Sequence, residues 1–139
     1  LAKRFLHAGL GLCLFTLLMM PLWAAEEGEE EVAKDPSYVK LSPAFVVNLK
    51  RGTGAKFLQV KAEVLVNSKE AAEEVRLHMP AVRHTLIMQL SNQDGRAIRS
   101  IETREKLRTE SEAAVRKTLE DMTGAPVIEG LFFTNYVVQ

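Results

Sequence analysis

From residue 39 onward apolar side chains take every second position: Val39, Leu41, Pro43, Phe45, Val47 and Leu49, with Lys40, Ser42, Ala44, Asn48 and Lys50 between them. A period of two marks a strand with one buried face. Pro43 has no N–H to give to a ladder, so the early half of this strand is expected at a sheet edge or a bulge. Arg51, Gly52, Thr53, Gly54 and Ala55 supply a turn, after which Leu58, Val60, Ala62, Val64 and Val66 alternate with Gln59, Lys61 and Glu63. Two adjacent half-buried strands joined by a loop with glycines predict an antiparallel hairpin.

The period then becomes helical. Val75, Met79, Val82, Leu86 and Leu90 recur at spacings of three and four, which gathers them on one stripe of a helix over residues 69–91. Pro80 interrupts it by removing one backbone bond and crowding the carbonyl of Arg76, so a kink or a second helix starting near residue 80 is expected. Asn92, Gln93, Asp94 and Gly95 close the unit. A further helix is expected to begin between Ser100 and Thr103, either of which can cap it, with Leu107, Ala114, Val115, Leu119 and Met122 as its apolar stripe. Arg104, Lys106, Arg108, Glu110, Glu112, Arg116, Lys117 and Glu120 read as its solvent charges. Gly124 stops it and Pro126 prevents a restart.

The chain finishes on Glu129-Gly-Leu-Phe-Phe-Thr-Asn-Tyr-Val-Val-Gln, apolar almost to its last residue. By strict alternation Val127, Leu131, Phe133 and Val137 point one way, and Ile128, Phe132, Tyr136 and Val138 the other. A run apolar on both faces fits a strand covered on both sides. The predicted fold class is therefore α+β: an antiparallel sheet in the order strand, strand, helix, helix, strand, with both helices on one face. Helices cover only one face, so the second apolar face needs another cover. Phe132, Phe133 and Tyr136 are the candidate contacts for a neighbouring copy or another protein; the competing reading is ordinary burial.

With 139 residues and formal charges that cancel, the chain has room for one domain and no basic excess that points to nucleic acid. Lys3 and Arg4 precede an apolar run from Ala8 to Met20, and acidic residues 26, 27 and 29–31 follow it. That charge order places the later part of the chain across a membrane from its start. The run has the length of a signal peptide, and counted through Ala25 it just reaches the roughly 20 residues of a span, so residues 1–25 read as a cleaved signal or a retained anchor. Residues 26–37 read as a charged linker and 38–139 as the exported domain. Cys13, the one cysteine, lies inside the apolar run, which leaves the exported part without a disulfide or a thiol nucleophile.

No catalytic constellation emerges. His78 and His84 are six residues apart and do not share a helix face, His7 sits in the targeting segment, and Ser42, Ser68 and Ser91 lie in no nucleophile context. Gly52 and Gly54 form no phosphate loop, and nothing requires Glu63 and Glu102 to meet. The chain reads as built to bind, with no enzyme activity, no metal and no cofactor.

The exported part resembles the FliL family of flagellar basal-body-associated proteins. The resemblance rests on Tyr38 to Leu41 leading into Pro43 and Phe45 to Leu49, on Met79 to Arg83, and on the terminal Leu131 to Gln139. It implies a domain of the stomatin and prohibitin type on the periplasmic side of the bacterial inner membrane, held there through residues 5–25 where these are not cleaved. It also implies association with flagellar stator proteins, formation of homo-oligomeric rings, and support of motility, and it carries no catalytic residues. The chain departs from the family pattern in its short, Pro21-broken apolar run and in having His84 after Arg83. A soluble periplasmic module for a small ligand or a cell-wall fragment is the alternative function.

Overall fold

In the computed structural model, the structure describes residues 34–51, 54–91 and 93–139. The apolar run and residues 26–33 of the charged linker lie outside the described residues. The fold is α+β, in the order β1 (Ser37–Lys40), β2 (Phe45–Asn48), β3 (Phe57–Val66), α1 (Lys69–Leu77), α2 (Met79–Ser91), a 3-10 turn (Ala97–Arg99), α3 (Ile101–Thr123) and β4 (Gly130–Val138).

The long central strand β3 pairs antiparallel with β1 and β2 along one side and with β4 along the other. The single strand expected over 39–49 is broken at Ser42–Pro43, whose peptide bond is cis. Lys40 stands opposite Glu63 and Phe45 opposite Val60, so five steps on the outer strand answer three on β3. The surplus is two residues, an even number, and side chains alternate with period two. Val39 and Leu41 before the break therefore bury on the same face as Phe45, Val47 and Leu49 after it. Arg83 of α2 holds the break: its Nη1 donates to the carbonyls of Leu41 (2.8 Å) and Pro43 (2.6 Å), and its guanidinium lies 4.2 Å from the centre of the Phe45 ring.

The inward residues of β3, Leu58, Val60, Ala62, Val64 and Val66, are all buried, and the helices pack on that face alone. Val75, Val82, Leu86, Leu90, Leu107, Val115 and Leu119 complete one core with Ile98, Val127, Ile128 and Leu131. The second helix expected near residue 80 is present: α1 ends before His78, and Pro80 stands in the first turn of α2, where its missing N–H breaks no ladder bond. One local expectation needs correction. On α3 the buried stripe is Leu107, Ser111, Val115 and Leu119, while Met122, assigned to that stripe from its spacing, is exposed near the helix end.

The caps follow their chemistry. Ser68 and Ser100 accept from the backbone N–H of Ala71 and Thr103, each three residues on. Asp94 accepts from Arg96 and Ala97 N–H, and these bonds, Ala97's first, hold its carboxyl below its usual range. Gly124 ends α3 at φ +78°, with its N–H returned to the carbonyl of Glu120.

Candidate partner interface

β4 is where alternation alone misplaces side chains. Ala62 stands opposite Phe133 but Lys61 opposite Asn135, so Thr134 is one surplus residue, a bulge. A surplus of one reverses the phase. Leu131, Phe133, Tyr136 and Val138 consequently share the helix-side face, opposite Val64, Ala62, Val60 and Leu58, while Phe132 and Val137 take the outer face. The expected pairing of Tyr136 and Val138 with Phe132 is therefore corrected: the bulge puts them on the side of Phe133.

The two faces meet different surroundings. On the helix side Phe133 stacks near Tyr136, with ring centres 6.0 Å apart, and Tyr136 Oη donates to the carbonyl of Ile98 at 3.2 Å. Burial pushes the Tyr136 hydroxyl up to about 12, with Arg104 pulling the other way from 5.4 Å above the ring. On the outer face Phe132 folds back over Gly130, its ring within 3.1 Å of where a Cβ on that glycine would stand, and meets Tyr38 edge-on at 5.9 Å. Among the described residues no helix covers this face, and Tyr38, Val46, Phe57 and Phe132 are 60, 66, 47 and 42% exposed. Between the Tyr38–Phe132 pair and the Val46–Phe57 end lie Lys40, Glu63 and Lys61.

Charges read from the sequence as solvent-facing build the seam between α3 and β4. Glu112 Oε2 accepts from the N–H of Leu131 (3.3 Å), and Arg108 Nη1 donates both to that oxygen (2.9 Å) and to the carbonyl of Leu131 (3.0 Å). Arg116 donates to the carbonyls of Ile128 and Glu129 and to Glu112 Oε1. The carboxyl of Glu112 is raised most by partial burial, but bonds from Arg116, the Leu131 N–H and Arg108 together outweigh that and hold it below its usual value. Glu105 is lowered chiefly by its hydrogen bond from Arg108. Residues 108, 112 and 116 recur every four positions immediately beside the buried 107, 111, 115 stripe, and that adjacency was the available signal for a half-buried charged row.

The three candidate contact residues, Phe132, Phe133 and Tyr136, line one open groove of about 610 Å³ with Arg104, Arg108 and Glu112. Among the described residues no group of three or more His, Cys, Asp and Glu is placed to hold a metal ion, and no helix is long and apolar enough to cross a membrane. His78 sits beside Glu74, 3.4 Å away, as the cap of α1, and His84 is exposed on α2.

Residues 38–139 match the family model described as flagellar basal body-associated protein FliL. The chain is similar to a flagellar protein FliL of Aquifex aeolicus (strain VF5), 27% identical over 100 residues that cover 72% of this chain and 60% of that protein. The match begins within β1 and runs through the bulged last strand to Gln139, the whole sheet and all three helices included, and the chain belongs to the FliL family.

Proposed function

We propose that this chain is a non-enzymatic accessory protein of the bacterial flagellar motor. Its domain stands on the periplasmic side of the inner membrane, assembles with copies of itself, and contacts stator subunits in support of motility. The observation that carries this reading is family membership across residues 38–139. The uncovered outer face around Tyr38 and Phe132, and the groove bounded by Phe133 and Tyr136, supply apolar surface of the kind that binding sites use.

The test is a clean deletion strain complemented with the tagged full chain. Reduced swimming or swarming on deletion, rescue on complementation, and stator subunits recovered with the tagged protein are the expected results. Normal motility and no stator recovery would remove the motor role. A monomer that binds a small periplasmic ligand in such a strain would instead favour the alternative module.

A further inference from the structure

The two edges of the sheet are treated differently. On the β1–β2 side the edge carries Lys40, Pro43 and the two-residue break, devices that discourage another strand from pairing. β4, the other edge, runs Gly-Leu-Phe-Phe-Thr-Asn-Tyr-Val-Val and has neither a charge nor a proline. Among the described residues its only defence is α3, whose Arg108 and Glu112 occupy both outward backbone groups of Leu131 as a neighbouring strand would. That defence stops at Leu131.

Beyond it the edge is open. Gln139 and Phe57 exchange both of their backbone bonds, so Val137 and Asn135 also bond inward to β3, while Val138 and Tyr136 turn N–H and C=O away from it. Phe133, two residues on from the outward-facing Leu131, does the same. Among the described residues no backbone group pairs with these outward positions. Beside them stands Arg104, exposed, over the Tyr136 ring and in no ion pair among the described residues.

We propose that the β4 edge from Phe133 to Val138 takes up an extended segment of a partner protein as an added strand, with an apolar residue for the Phe133–Tyr136 groove and a carboxylate for Arg104. Main-chain bonds give such a complex its affinity and alternate side chains its specificity. A second copy of this chain fits less well in the register that would use the groove on both copies. Twofold pairing that sets Phe133 against Tyr136 of the copy also needs Leu131 opposite Val138, and Leu131 is already held by α3. A free extended segment brings no helix of its own.

The inference rests on the reading that this seam contacts a partner, but its test is made on purified full chain, so a negative motility result leaves it standing and its own failure leaves the motor role standing. A displayed library of random peptides about eight residues long, strand length for such an edge, is selected against the protein. Enriched peptides are expected to alternate apolar and polar positions and to carry Asp or Glu, and their binding is expected to slow amide exchange at Tyr136 and Val138. Val138→Pro deletes an outward N–H and no bond to β3, and is expected to weaken them tenfold or more. Arg104→Glu is expected to shift selection toward Lys-bearing peptides. No enrichment, or binding that leaves both exchange at Tyr136 and Val138 and affinity for Val138→Pro unchanged, would overturn the proposal. Dimerisation of the full chain that Val138→Pro abolishes would also overturn it, because the occupant would then be a second copy.

Discussion

Glu112 bridges two arginines and the backbone of β4 from a half-buried position, and removing one member of such a set leaves the others unpaired. Glu112→Ala is expected to cost about 2 kcal/mol in urea unfolding, and Glu112→Gln, which still accepts from Leu131, distinctly less. Because the folded-state carboxyl is lowered, its stabilisation is fully present above its unfolded value near 4.5 and is lost as pH falls through the folded value. Wild-type stability should therefore drop below pH 4.5 more steeply than that of Glu112→Gln. Ser111 presents the opposite case: its hydroxyl is fully buried and forms no hydrogen bond among the described residues. Ser111→Ala removes an unpaired polar group and adds a better helix former, so a gain of about 1 kcal/mol is expected in the same measurement. A loss would show that the hydroxyl is satisfied in solution.

At the level of elements, caps and breaks were legible because each is local chemistry: a serine three residues before a free N–H, a glycine past the last turn, a proline in a strand. Gly124 has open space where a Cβ would go, so any penalty for Gly124→Ala comes from its left-handed backbone alone. About 1 kcal/mol is expected, measured by thermal unfolding against wild type. Arg83 is different, since its partners lie some forty residues away and no spacing rule finds them. Arg83→Lys keeps the charge but loses the planar fork and the stacking over Phe45, with an expected cost of about 1 kcal/mol. Faster amide exchange confined to residues near the Pro43 break would locate the effect. The surplus residue at Thr134 was equally hidden, because a bulge is set by the register of a partner strand and leaves no mark in the alternation of its own.

Across the whole molecule, hydrophobic patterning was enough for the fold class and for helices on one face, since one-sided burial shows as period two and period 3.6. It was not enough for the candidate interface, which depends on which aromatic turns outward, and that was decided by one inserted residue between Phe133 and Asn135. Phe132 is on the free face, touches Tyr38 without entering the core and stands opposite Glu63, so Phe132→Lys, which trades the ring contact for an opposite-charge pair, is expected to change unfolding free energy by about 1 kcal/mol. On the proposed motor role the same variant should lower recovery of stator subunits with the tagged chain; unchanged recovery would exclude this face as the contact. Thr134 has no opposite residue on β3 and reaches that strand through its hydroxyl, which donates to the Lys61 carbonyl at 3.4 Å, so a relative lacking it would keep each core pairing of the tail, Phe133 with Ala62 and Tyr136 with Val60. What such a shortening would alter is the spacing of the outward amides at the rim, which makes chain length at this point neutral for stability and consequential for whatever binds alongside.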